Sequence, residues 1–455
     1  MTNLKTLLGA VVLSAGLMTS VAAFAADNVL VDAEWWKTAT LADVTAAIGG
    51  GADVNEVDPD AYTPLHMAAR QGVGADVIKA LVDAGANVNF VGHDARVPLF
   101  YALGSGSLET ANAFFAYNPD LNVKDESGNT LLTYTARATK STELIDLLIA
   151  KGLDLQVLNN NEANAALTAA ERNPNLNVVE YVVGLGVDPL LVDNRGWNGV
   201  LNASFRNPNL DVLKFFEAKG AAIDAVAKDG RNAALIASER NTLEVLEYVV
   251  GKGVDVKAVD AKGRNALNIA ATMNKPDVIE YLVAQGVDVN AADAEGKTAL
   301  IHAAESNSLD AIKALIAAGA DAKVADADGN TAVIVAAARE DDTLPVLETL
   351  VAAGGDLKTV NTDGTTTLIA AAGSNQSVDV LKYLVDAGVD VNAVDGEKLS
   401  ALLHAASKAK DTAAIEFLLA NKADTSLADD FGDTAADYVA DNEALAGTNA
   451  ADLLK

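Results

Sequence analysis

The chain of 455 residues contains no cysteine. That single absence excludes disulfide scaffolds, thiolate zinc sites, iron–sulfur clusters, thiol nucleophiles and a lipid-bearing cysteine. Basic residues are scarce as well: 33 Lys and Arg stand against 63 Asp and Glu, a formal charge of −30. Phosphate contacts need a dominant basic surface, so neither nucleic acid nor an anionic membrane is an expected partner. Aromatic residues make up 5% of the chain, and the four histidines are too few and too scattered for most metal or acid–base schemes. No apolar run after the first segment is long enough to span a bilayer. What is plentiful is small and apolar. Half of the residues are hydrophobic, many of them alanine, so the chain can bury a core despite its charge.

Residues 1–25 read as a secretory signal peptide: Lys5 gives the basic start, residues 7–18 the apolar middle, and Ala23-Phe24-Ala25 the small-residue end where cleavage is expected. The apolar stretch is too short for a mature spanning helix, and Gly9 and Gly16 weaken a permanent anchor. Once this segment is removed no membrane insertion is expected. The expected location is the periplasm, with secretion beyond it as the alternative.

The remainder repeats one unit. Gly-Ala-Asp-Val-Asn at 51–55 returns as Gly-Ala-Asn-Val-Asn at 85–89 and as Gly-Val-Asp-Val-Asn at 286–290 and 388–392. Weaker copies begin at Asn118, Gly152, Gly186, Gly220, Gly253, Gly319, Gly354 and Lys422, so successive starts lie 33 to 35 residues apart. A fixed period held over most of the chain marks a solenoid rather than the three domains its length suggests. Each copy reads as a turn and two short helices. From Gly253, a turn at 259–263 precedes a small-residue helix expected over 265–272. Pro276 then suits a first helical residue, Val278, Ile279, Leu282 and Val283 form one apolar stripe, and Gly286 ends the helix. A single pair cannot bury both of its faces, so neighbours must stack.

Tyr62-Thr63-Pro64-Leu65-His66-Met67-Ala68-Ala69, followed by Val77-Ile78-Lys79-Ala80-Leu81-Val82-Asp83-Ala84-Gly85-Ala86, resembles an ankyrin repeat. The T-P-L-H element degrades elsewhere, to Val97-Pro98-Leu99-Phe100 and Thr298-Ala299-Leu300-Ile301 for example, but period and Ala-Ala pair extend the resemblance over about residues 35–440. It implies an all-α ankyrin-repeat solenoid of stacked helix-turn-helix units with β-hairpin-like connecting turns. It also implies a structural, hydrogen-bonding role for His66. We read a degenerate capping repeat at 26–50, eleven repeats at 51–421 and a partial capping repeat with tail at 422–455, in one continuous array. Trp35 and Trp36 are expected to pack the first cap.

Catalytic motifs find little support. There is no H-E-x-x-H pair and no G-x-S-x-G elbow. Residues 291–298 approach a P-loop but lack its first glycine, and the acid-rich turn at 326–330 has Val324 where a calcium loop needs its first acid. No metal or cofactor is expected. The resembled family binds partners on its concave side, through turn tips and first-helix positions. Two aligned columns there hold Arg70, Arg96, Arg137, Arg172, Arg206, Arg231, Arg240, Arg264 and Arg339, with Arg195 in an adjacent turn, which accounts for every arginine. One reading is a groove that docks an acidic or mixed-charge protein. The other is ordinary packing, with each arginine paired to acids such as Glu171 and Glu239. Trp197 and Phe205, flanked by Arg195, Arg206 and Arg231, are the candidate anchor, though the indole could instead shield a neighbouring turn. The expected function is a monomeric, non-catalytic protein-binding scaffold, with an enzyme-protecting or immunity role implied by exported relatives of this kind. The alternatives are a secreted effector that binds a host protein and an enzyme whose site the motifs do not reveal.

Overall fold

A computed structural model describes residues 28–273, 275–306, 309–340, 343–374 and 377–455. The expected signal segment, 1–25, lies outside them. Among the described residues the chain forms twenty-five α-helices, four short 3-10 turns and no strand. The expected all-α, helix-turn-helix architecture is what is observed. Turn legs meet as single antiparallel bridges, Val226 with Asn232 and Val394 with Ser400 among them, so the connections are hairpin-like without becoming sheets.

The chain divides into two compact units, one of residues up to Ala102 with Glu109–Pro119, the other of Leu103–Leu108 with Asp120–Lys455. In the smaller unit Trp36 is buried and its indole N–H donates to the Leu30 carbonyl at 2.7 Å, while Trp35 meets it edge-on at 5.1 Å. Both tryptophans thus pack the start of the unit. Helix Pro64–Gln71 begins on a reciprocal cap: the Thr63 N–H donates to His66 Nδ1 at 3.1 Å, which leaves the ring proton on Nε2 facing the Arg96 carbonyl at 3.1 Å. His66 has the structural role that the T-P-L-H element implies.

In the larger unit the copy from Gly253 follows its sequence closely. The first helix is Ala266–Ala271, with Asn265 and Asn268 capping each other through hydrogen bonds of 2.9 and 3.0 Å. The second, Pro276–Ala284, opens on proline and buries Val278, Ile279 and Leu282, while Val283 at the edge of the stripe stays half-buried. Gly286 takes the left-handed conformation at φ 77°. First helices pack on first helices of the units before and after, and second on second. The Ala-Ala column makes that approach possible: Ala169, Ala170, Ala270 and Ala271 are fully buried, and Ser204 and Ser238 fit the same column by returning their hydroxyls to Val200 and Ala234 carbonyls at 2.8 Å.

Two further devices fix each unit and its register. A carboxylate or amide at the head of the turn accepts two N–H groups of that turn; Asp260 Oδ1 takes those of Lys262 and Arg264, both at 2.9 Å. The turn tips are also tied to one another, since the Ala294 N–H donates to the Lys262 carbonyl at 2.8 Å. Gly263 permits this approach. Its φ is 74°, and a Cβ there would sit 2.9 Å from the Ala294 nitrogen. Behind the first helix, buried asparagines reach backward. Asn173 donates to the carbonyls of Ala136 and Thr139 at 2.8 Å, and Asn207 to those of Ala170 and Asn173 at 2.9 and 2.8 Å. Asn241 donates to Ala203 and Ser204 at 3.0 and 2.9 Å.

Asn207→Ala leaves two buried carbonyls without donors, at about 1–3 kcal/mol for an unmet buried group. We expect a lower denaturant midpoint, accompanied by faster amide exchange in helices Ala165–Arg172 and Gly199–Arg206; an unchanged midpoint would contradict the role given to this column.

Candidate interaction surface

Stacking brings residues one period apart side by side, and this gathers the helix-end arginines. Helices Ala165–Arg172, Gly199–Arg206 and Ala233–Arg240 all end on arginine. Arg172, Arg206 and Arg240 line one open concavity of about 480 Å³ together with Glu239, Met273 and Lys275. Glu171 lies between Arg137 at 3.7 Å and Arg172 at 3.4 Å, and Glu239 between Arg231 at 2.8 Å and Arg240 at 3.4 Å. Burial, then the charges of Arg172 and Arg240, hold the Arg206 pKa below its ordinary value. Burial also lowers that of Lys275, whose ammonium donates to the Asn241 carbonyl.

The arginines in the turns are engaged differently. Arg195 places Nε and Nη2 on Asp193 Oδ2 at 2.9 and 2.6 Å and reaches Asn202 at 3.0 Å. Arg264 forks onto Asp260 Oδ2 at 2.9 and 2.7 Å, and Arg231 bridges Asp229 at 2.7 Å to Glu239 at 2.8 Å. In the smaller unit Arg96 pairs with Asp94 at 3.0 Å, and Arg70 is exposed at the end of its helix. Arg339 donates to the Ala304 carbonyl at 3.2 Å, which ties it to the preceding first helix. The ten arginines therefore form two sets. Those in turns complete their own hairpins, because an aspartate two to four residues away is always in reach. Those at helix ends carry the surface.

Trp197 is not an exposed anchor. It is 2% exposed, with Arg195 4.1 Å and Arg231 5.3 Å from its ring centre and Phe205 edge-on at 5.5 Å. Two turn arginines cover its faces, so the indole supports the hairpin and leaves Phe205, half-buried, to meet solvent. Of the two roles the sequence leaves open for Trp197, the burial matches the one that shields a turn; the polar residues of its column gave no means of choosing between them.

The remaining candidates are absorbed by the fold. In the stretch that approaches a P-loop, Lys297 pairs with Glu305 at 2.7 Å. In the acid-rich turn, Asp326 Oδ1 accepts the N–H groups of Asp328 and Asn330 at 3.0 and 2.8 Å, which turns the acid inward. His302 and His404 each place Nε2 2.8 Å from a turn aspartate, Asp293 and Asp395. Burial alone would lower the His302 pKa, but hydrogen bonds to Glu305 and Asp293 raise it above the ordinary histidine value. No cluster of three or more His, Cys, Asp or Glu suited to a metal occurs among the described residues. No helix of the described residues is long and apolar enough to cross a membrane. One cluster went unread in the sequence: Tyr62, His66, Phe90, His93 and Tyr101 make ring contacts of 5.6 to 6.1 Å in the smaller unit. Its members lie up to 39 residues apart, so only the stacking reveals them.

Comparison with known families agrees with this architecture. The family described as ankyrin repeats (3 copies) matches residues 38–125, 99–193, 201–293, 285–347 and 334–429. The chain belongs to the ankyrin-repeat family, whose repeats make it a scaffold for protein–protein interaction. A search of the curated proteins finds no match.

His66 allows a test of this packing. Burial, opposed by the Arg96 carbonyl and the charge of Asp58, brings its pKa down to about 4 from an ordinary 6.5. The folded state keeps the ring neutral while the unfolded chain protonates, so this contribution is whole above pH 6.5 and is lost as pH falls toward 4. The thermal midpoint of the wild type should fall more steeply over that interval than that of His66→Gln. Parallel curves would count against it.

Proposed function

We propose that the protein is a non-catalytic scaffold of a bacterial periplasm that holds a protein partner with an acidic or mixed-charge surface on the helix-end arginines of its larger unit. In this reading residues 1–25 are removed on export, and segments 26–50 and 422–455 close the eleven-repeat array of 51–421. Protection of an envelope enzyme or immunity against a toxin would both use such a surface. One observation carries the reading: Arg172, Arg206, Arg240 and Lys275 share one concavity on a chain whose formal charge is −30. Local concentration of guanidinium groups, against the sign of the whole molecule, favours carboxylate-bearing surfaces and sets the register in which they dock.

The test is an affinity pulldown from periplasmic extract with the wild type and with Arg206→Glu/Arg240→Glu. The wild type should retain one protein that the variant recovers at least about tenfold less well, since like charges now face the partner. Equal recovery by a variant with unchanged circular dichroism would overturn the arginine surface. Fractionation tests the location separately: protein found only in the culture medium would replace the periplasmic reading with the secreted one.

A further inference from the structure

The helix-end ladder has one gap. Glu171-Arg172 and Glu239-Arg240 each set a carboxylate beside the arginine, but the pair between them is Phe205-Arg206. Neither neighbouring acid is spare. Glu171 is held by Arg137 and Arg172 at 3.7 and 3.4 Å, and Glu239 by Arg231 and Arg240 at 2.8 and 3.4 Å. Arg206 makes no hydrogen bond or ion pair among the described residues. Its guanidinium lies 4.5 Å from the centre of the Phe205 ring, and its Nε is buried without an acceptor. The Nε is thus withdrawn from water and unmet, while the rest of the half-buried guanidinium opens onto the concavity with like charges beside it, an arrangement that carries a cost. Such a cost is relieved when a ligand brings the missing acceptor.

The surroundings narrow what that ligand is. The concavity of about 480 Å³ is lined by Arg172, Arg206, Arg240 and Lys275 with the acid Glu239, and Met273 adds an apolar wall. Guanidinium forks match the planar carboxylate. Glu239 on the rim repels a doubly charged phosphate more than a singly charged carboxylate. The Met273 thioether gives apolar surface that a free inorganic anion cannot use. The volume suits a short peptide segment rather than one ion.

We propose that this concavity is a carboxylate-binding subsite for an extended acidic peptide of the partner, taking one Asp or Glu side chain on Arg206 and an apolar side chain of the same peptide against Met273. The assignment rests on the scaffold reading above and names the chemistry the partner must present. Phe205 makes the site by standing where the adjacent repeats carry glutamate.

A fluorescein-labelled peptide of alternating leucine and glutamate, titrated into the full chain by fluorescence anisotropy, should bind at least about tenfold more tightly than its leucine–glutamine twin. Phe205→Glu supplies the missing carboxylate within the ladder; it should weaken the glutamate peptide by at least about tenfold while the thermal midpoint holds or rises. Arg206→Gln, which keeps the Phe205 packing, should weaken it similarly. The subsite is overturned if the two peptides bind alike, if Phe205→Glu and Arg206→Gln bind as the wild type does, or if inorganic phosphate at constant ionic strength displaces the label more effectively than unlabelled peptide. A periplasmic partner lost with Arg206→Glu/Arg240→Glu but kept by Phe205→Glu would overturn this subsite and leave the scaffold reading standing. A partner kept by both variants would overturn the scaffold surface itself.

Discussion

Among the described residues of the larger body, several units leave backbone carbonyls open where the first helix ends, and the following unit closes them. Asn173, Asn207 and Asn241 do this from buried positions, each with a two-donor amide. A slip of one residue in the stacking would bury those carbonyls without partners and strand an amide in an apolar layer, so the asparagine column fixes register as well as adding stability. The alanine column beside it sets how near the helices come. Together they determine that the residue at the end of one first helix lies beside the residue at the end of the next. The arginine ladder is a consequence of that register, not a separate structure built for binding.

The same register explains why chemically similar arginines do different work. A turn arginine is two to four residues from an aspartate that already organises the hairpin, so its fork is satisfied locally, as Arg195 is by Asp193 and Arg264 by Asp260. A helix-end arginine has no such aspartate. It depends on the residue before it and on the adjacent repeats, and its state follows from whether those columns supply an acid. Glu171 and Glu239 do; Phe205 does not. Trp197 strengthens the division, since it draws Arg195 and Arg231 inward over its faces and leaves Arg206 outside that arrangement.

Much of this fold is legible in the sequence because its signals are local. Pro276 and Gly286 bound a helix by backbone geometry alone, and the 3.6-residue spacing of Val278, Ile279 and Leu282 names the buried side. The period then says how many times the unit recurs. The surface was only half legible. The arginines could be aligned in columns, but whether a guanidinium is satisfied depends on a partner 8 residues away, as for Arg231 and Glu239, or 34 residues away, as for Arg137 and Glu171. The asparagine column was equally visible as letters and equally silent, because its acceptors belong to the neighbouring unit. Trp197 was undecided between anchor and turn shield for a related reason: its column holds mostly polar residues, and the arginines that cover it come from two different turns.

The formal charge of −30 opposes an acidic partner, yet its reach is limited. At physiological salt the Debye length is about 8 Å, so charges spread over the rest of a long chain are largely screened from a ligand seated at the ladder. What such a ligand meets is its immediate surroundings, where Arg172, Arg206, Arg240 and Lys275 outnumber the acids that act on them, Glu239, Glu171 and Asp277. Partial burial weakens the screening at that point and strengthens attraction there relative to repulsion elsewhere. Distant acids act chiefly on encounter, slowing the approach of an acidic protein that arrives in the wrong orientation, while the ladder governs retention once contact is made. On the proposed reading, a strongly acidic scaffold with a small basic site would be selective by construction: most of its surface would repel an acidic ligand that the ladder retains.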